Sequence, residues 1–248
     1  ELLVMIEALR RACAERITAV MPYYSYARQD RKTRPREPIT AKLIANLLVH
    51  AGTDRVLTMD LHAAQIQGFF DIPVDHLEAA SILSDYFKEK DLSKVVVVSP
   101  DVGGTARARN FAGRLDKPIA IIDKYRESDT NVEIMHIVGN VKDKIAIIVD
   151  DMIDTAGSIV KGSQAILNAG AKEIFICATH PVFAGPARDR LEKHWKEGLF
   201  KEVVITNTIP VPNEKALPCI KVLSVAKLFA ESIKRIHNNK SISEIFRR

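Results

Sequence analysis

The stretch that most constrains this chain is residues 144–171, KIAIIVDDMIDTAGSIVKGSQAILNAGA. Ile145, Ala146, Ile147, Ile148 and Val149 form an apolar run of strand length, and such a run predicts a strand covered on both faces. It ends at two adjacent acids, Asp150 and Asp151, and a short loop follows over residues 152–158. Ile159, Ile166 and Leu167 then fall at roughly helical spacing, and Asn168-Ala169-Gly170 stops the helix. Backbone N–H groups at such a helix start, with the hydroxyls of Thr155 and Ser158, can surround a phosphate. The acids can hold sugar hydroxyls or a hydrated Mg²⁺. The same string also reads as an ordinary strand–loop–helix turn with a capping Asp or Thr.

An acid-terminated strand recurs at Asp60 (RVLTMD), at Asp101 and at Asp150. Val95, Val96, Val97 and Val98 are a continuous β-branched run, hence a buried strand. It opens into SPDVGGTARAR, residues 99–109, where Gly103 and Gly104 let backbone amides approach a ligand closely. Further strands are read at residues 17–21, 118–123, 173–177, 203–206 and 220–225. Helices are read at residues 1–15, 40–51, 76–90 and 228–237, with Thr40 as a cap. Strands alternating with helices imply an α/β fold with parallel sheets.

The length of 248 residues allows one large domain or two small ones. A hydrophobic content of 47% with 27% charged residues is that of a soluble globular protein. No apolar run reaches the length of a membrane span, so no membrane partner is expected. Cys13, Cys177 and Cys219 are scattered and match no metal pattern, which points to reduced thiols and a cytoplasmic setting. A net charge of +5 and a pI near 9.1 favour anionic ligands. Positive charge concentrates at Arg28, Arg31, Lys32, Arg34 and Arg36. Pro35 and Pro38 exclude a continuous helix there, so residues 22–40 read as a long, mobile, cationic loop. Pattern alone leaves three readings open: a solvated charge run, a nucleic-acid patch with Tyr23, Tyr24 and Tyr26 for stacking, or a polyphosphate clamp of guanidinium forks. Lys124 and Arg126 stand at the base of a polar loop and, as pattern, read as surface charge. The chain starts at Glu1, without Met, inside an expected helix, so a preceding N-terminal segment is expected.

DDMIDTAGS, residues 150–158, resembles the phosphoribosyl-diphosphate-binding signature shared by type I phosphoribosyltransferases and ribose-phosphate diphosphokinases, with Ser158 where Thr is usual. Five other segments are similar to the diphosphokinases, in family order: YARQDRKTRPREPITAKLIANLL, DLH with the following QIQGFFDIP, SPDVGGTARAR, THPVFAGPA and the closing SISEIF. The family's catalytic loop commonly reads Lys-Arg-Arg-Pro. Here the positions are Lys124, Tyr125, Arg126 and Glu127, which keeps two of the cations.

The resemblance covers essentially the whole chain. It implies two phosphoribosyltransferase type I-like domains, each a mainly parallel sheet flanked by helices. Residues 1–72 would be the remainder of an N-terminal domain with the ATP-binding loop. Residues 73–225 would be a C-terminal domain with the ribose 5-phosphate and catalytic loops, and residues 226–248 a closing helix and tail. It implies transfer of the diphosphoryl group of Mg-ATP to the anomeric hydroxyl of ribose 5-phosphate, for nucleotide biosynthesis. Arg28, Gln29 and His62 would contact ATP, and His62 and Asp101 would place Mg²⁺. Gly103 and Gly104 would line the diphosphate loop, and Lys124 and Arg126 would be the catalytic cations. Asp150, Asp151, Asp154, Thr155, Ala156, Gly157 and Ser158 would bind ribose 5-phosphate. The partners implied are ATP, ribose 5-phosphate and further copies of the chain, as hexamers built from dimers. Neither nucleic acid nor membrane is expected. The alternatives are a non-catalytic regulatory homologue and a transferase that consumes phosphoribosyl diphosphate. The retained cations count against the first, and the ATP-type segment with DLH counts against the second.

Overall fold

The computed structural model describes residues 1–91, 93–126 and 133–247. It divides into two compact units, residues 1–78 with 228–248, and residues 79–227.

In the first unit, α1 (Leu2–Arg11), β1 (Thr18–Met21), α2 (Thr40–Ala51), β2 (Arg55–Met59) and β3 (Val74–Leu77) follow one another. The strands form a parallel sheet in the order β1-β2-β3. Its core gathers Ile6 from α1, Ala41, Ala45 and Leu48 from α2, and Val56 from β2, with Tyr24 and Ala27 from the cationic segment. Gly52 ends α2 in the left-handed conformation at φ 112°, which glycine adopts without steric cost. Two expectations are corrected. Ile39, not Thr40, is the N-cap residue of α2, and no side chain caps it. Residues 76–90 are not one helix. β3 adds to the sheet, Arg55 and Asp75 pair across the strands at 2.7 Å, and only then does α3 (Ala80–Lys88) begin. A four-residue strand is too short to show its alternation, so periodicity merged it with the helix behind it.

The second unit continues with β4 (Val95–Ser99), α4 (Thr105–Leu115), β5 (Ile119–Arg126), β6 (Glu133–Val138), β7 (Ile145–Ile153), α5 (Gly157–Asn168), β8 (Glu173–Pro181), α6 (Ala187–Lys196), β9 (Glu202–Thr206) and β10 (Ile220–Leu223). Its seven strands are ordered β10-β9-β8-β7-β4-β5-β6, all parallel except β6 against β5. Both faces are covered, as the unbroken apolar runs require. Val96, Val98, Ile148, Ile176 and Val203 pack with Ile159 and Ile166 of α5 and Leu191 of α6. On the other face Phe175 meets Phe87 of α3 edge-on at 5.9 Å, and Phe87 meets Phe111 of α4 at 6.0 Å. Helix α7 (Ala226–His237) closes the chain, and from Leu228 onward it belongs to the first unit. There Arg16 donates to the Asn239 side chain at 2.7 Å and to the Ile236 carbonyl at 2.9 Å.

The sequence reading places a boundary after residue 72. By contact, residues 73–78 stay with the first unit because β3 completes its sheet.

Candidate active site

The chain leaves β4 through α4 toward β5 on one side, and leaves β7 through α5 toward β8 on the other. Connections that diverge from two neighbouring parallel strands open a crevice beyond their carboxyl ends. Asp101, after β4, and Asp150, on β7, both fall at that switch point.

After β4, Ser99 Oγ donates to the Asp101 carbonyl at 2.7 Å, and Asp101 Oδ1 accepts the Gly104 N–H at 2.8 Å. This closes a tight aspartate turn. A Cβ at Gly104 would stand 2.9 Å from Ser99 Oγ, and one at Gly103 3.3 Å from Asp101 Oδ1. The two glycines therefore answer to crowding by the turn itself as well as to access for a ligand.

The acids do not end their strand. β7 runs on through Asp150 and Asp151 to Ile153, because the ladder with β8 continues as far as Ile153 opposite Pro181. Asp151 is buried and Asp150 is partly exposed. The Asp151 N–H donates to Asp150 Oδ1 at 2.8 Å. Arg107, on α4, places Nη1 3.4 Å from Asp150 Oδ1 and 3.6 Å from Asp151 Oδ1. Burial, then the neighbouring Asp151, raise the Asp150 carboxyl well above the ordinary range, and Arg107 pulls the other way. Arg107 thus ties the aspartate turn's helix to the acid pair. The sequence carried a signal for it in SPDVGGTARAR, without a role.

Asp154, Thr155 and Ala156 connect β7 to α5. Thr155 and Ser158 are exposed, Asp154 and Gly157 half-exposed, and Ala156 is buried with φ 61° and ψ 3°. Ala156 occupies the N-cap position and its own side chain makes no cap. The helix's first N–H groups and its dipole face the turn. This is chemistry suited to an anion.

Lys124 lies near the end of β5, paired opposite Met135 of β6. It stands beyond Ile121, the partner of Ser99, by about 10 Å along the strand. Tyr125 is exposed. Arg126 ends β5, its side chain lies outside the described atoms, and Glu127 lies outside the described residues.

Arg28, Gln29 and His62 belong to the first unit, whereas Asp101, Lys124 and residues 150–158 belong to the second. The cationic segment is a built turn in the structure. Tyr24 Oη donates to the Ala41 carbonyl at 2.7 Å, and the Ala41 N–H donates to the Gln29 carbonyl at 3.2 Å. Glu37 accepts the Thr33 and Arg34 N–H groups and the Thr33 hydroxyl, and these bonds lower its carboxyl. Arg28, Gln29, Arg31, Lys32, Arg34 and Arg36 are left exposed. His62 is exposed after β2, on a segment steadied by His76, whose Nε2 accepts the Leu61 N–H at 2.9 Å. His76 had been read as part of a helix, so its support of the DLH segment was not foreseen.

Among the described residues no group of three or more His, Cys, Asp or Glu side chains gathers as a metal cage. Magnesium characteristically takes one or two carboxylates and completes its shell with substrate phosphates and water. The Asp101 carboxylate at the switch point fits that donor chemistry.

Residues 130–247 match the phosphoribosyl synthetase-associated domain, and residues 1–52 match the N-terminal domain of ribose phosphate pyrophosphokinase. The chain is 57% identical over 248 residues to a ribose-phosphate pyrophosphokinase of Gloeobacter violaceus, covering 100% of this chain and 74% of the relative. It is 56% identical over 248 residues to the Synechococcus elongatus protein of the same name, with the same coverage. The crystal structure of phosphoribosylpyrophosphate synthetase from Mycobacterium smegmatis superposes with a TM-score of 0.88 at 45% identity, covering 96% of this chain and 76% of that one. Fold and site together define an α/β protein of the phosphoribosyl-handling class. The chain belongs to the ribose-phosphate pyrophosphokinase family.

Proposed function

We propose that the chain transfers the diphosphoryl group of ATP to the anomeric hydroxyl of ribose 5-phosphate, giving phosphoribosyl diphosphate and AMP. The observation that carries this reading is the 57% identity over all 248 residues to a ribose-phosphate pyrophosphokinase. The anomeric oxygen forms a bond to the β-phosphorus, and the bond from that phosphorus to the oxygen bridging the α-phosphate breaks. No covalent enzyme intermediate is needed, so catalysis rests on positioning and on neutralising charge in the transferring group.

Thr155, Gly157 and Ser158, flanked by Asp154 and Ala156, receive the 5-phosphate at the start of α5. Asp150 and Asp151 take the ribose hydroxyls, and Arg107 keeps that pair from repelling itself apart. The backbone at Gly103 and Gly104 lines the path of the diphosphate. Arg28 and Gln29 hold ATP from the first unit. Lys124 and Arg126 stabilise charge on the transferring group. Asp101 would hold magnesium, which when bound would supply Lewis-acid neutralisation of phosphate oxygens, and His62 is a candidate ATP and metal contact on the first unit.

We also infer a homo-oligomer, a hexamer built from dimers, in the cytoplasm. The oligomer is supported by apolar side chains exposed on the first unit, Val4, Met5 and Leu9 on α1 and Leu43 and Leu47 on α2. The compartment is supported by three free cysteines. Among the described residues no helix is long and apolar enough to cross a membrane.

The test is ³¹P NMR of the protein with Mg²⁺, ATP and ribose 5-phosphate. Phosphoribosyl diphosphate and AMP are expected to appear together. ADP with a sugar bisphosphate would mean γ-phosphoryl transfer and overturn the reading.

A further inference from the structure

Arg190 lies on α6, a helix that no motif marks, yet its guanidinium reaches the turn between β7 and α5. Its Nη1 donates to the Thr155 carbonyl at 3.0 Å. The same nitrogen would stand 3.1 Å from a Cβ placed at Gly157. Gly157 is not among the residues with positive φ. A left-handed backbone is therefore not what favours glycine there, and a Cβ would crowd the end of the Arg190 side chain. Ala156, between these two residues, does hold a left-handed conformation that L-residues other than Asn and Asp seldom adopt. Such a conformation persists only where its surroundings over-determine it.

The consequence for an anion follows from peptide geometry. Across a trans peptide the C=O and the next N–H point in opposite directions. The Thr155 carbonyl, drawn to Arg190, turns the Ala156 N–H away from that guanidinium. A carbonyl oxygen facing a phosphate repels it, whereas an N–H attracts it.

We propose that Arg190 is a positioning residue for the 5-phosphate cradle. It holds the Thr155 peptide with its carbonyl turned out, and Gly157 is glycine so that Arg190 can reach it. This rests on the reading of residues 154–158 as the ribose 5-phosphate site.

The test is calorimetric titration of ribose 5-phosphate and, separately, of Mg-ATP, with kcat and KM measured in parallel. The proteins compared are the unaltered chain, Arg190→Ala, Arg190→Lys, Gly157→Ala, the Arg190→Ala/Gly157→Ala double variant and Ser158→Ala. Arg190→Ala and Gly157→Ala are each expected to weaken ribose 5-phosphate about tenfold, the scale of a hydrogen bond to a charged donor. Mg-ATP binding is expected to hold in both, and kcat to hold in Arg190→Ala. Arg190→Lys, which keeps one donor and the charge, is expected to recover part of the loss. The double variant is expected to be no worse than the weaker single, because both changes remove one contact.

Unaltered ribose 5-phosphate affinity in both Arg190 variants would overturn the proposal. So would equal losses for both ligands, which mark general damage. If Ser158→Ala weakens ribose 5-phosphate while the Arg190 variants do not, the cradle stands and only the role of Arg190 falls. If Ser158→Ala binds normally, the cradle reading fails and takes the proposal with it.

Discussion

Asp150 shows most plainly what the site costs its fold. The folded chain holds this carboxyl's proton more tightly than an unfolded chain would, because burial and Asp151 disfavour the anion. Stability is therefore lost as pH rises through the folded pKa and Asp150 ionises. Asp150→Asn removes that cost and leaves Arg107 paired with Asp151. It is expected to raise stability at neutral pH by about 1 kcal/mol, a gain that fades as the pH is lowered, while ribose 5-phosphate binding drops. Urea melts at several pH values, with titration of the sugar phosphate, check both halves. Lys124→Ala makes the opposite trade. It is expected to cut kcat on the order of a hundredfold with a much smaller effect on ribose 5-phosphate affinity, and steady-state kinetics separate the two. At this scale the sequence was legible where a residue's role is carried by its own string. Asp101 follows β4 and residues 150–158 lead from β7 into α5, the places their strings suggest. Arg190 and His76 announced nothing, because each acts on a backbone group far along the chain, Thr155 in one case and Leu61 in the other.

Elements were readable where apolar runs are long. β4 and the core of β7 were foreseen, since four or five consecutive buried residues leave no other reading. Ends were less readable. β7 and β8 each continue past the expected stop, carried by their mutual ladder rather than by their own propensity. β5 runs past its expected stop at Asp123 and pairs with β6, which was not foreseen, from Ile121 opposite Val138 to Arg126 opposite Glu133. That hairpin depends on Gly139, which sits at φ 114° and whose missing Cβ would lie 2.9 Å from the Ala120 backbone. Gly139→Ala combines a disfavoured backbone with a clash that no rotamer relieves. It is expected to destabilise the chain by about 3 kcal/mol and to lower turnover through Lys124, which β5 carries. Thermal melts read the first effect and kinetics the second.

At the scale of the whole molecule, each unit has its own core, and the first is built from both ends of the chain. Arg16 fastens the returning segment by its bonds to Ile236 and Asn239. Removing residues 228–248 is expected to strip hydrogen-exchange protection from β1, β2 and β3 while β4, β7 and β8 keep theirs. A uniform loss across both sheets would contradict that division. The same layout sets an order of events during synthesis. Domains ordinarily fold as they leave the ribosome, the N-terminal one first. Here residues 79–227 form a unit whose chain is complete before residues 228–248 have been made. The second unit can finish folding while the first still waits for its closing helix, so the unit translated first is the one completed last.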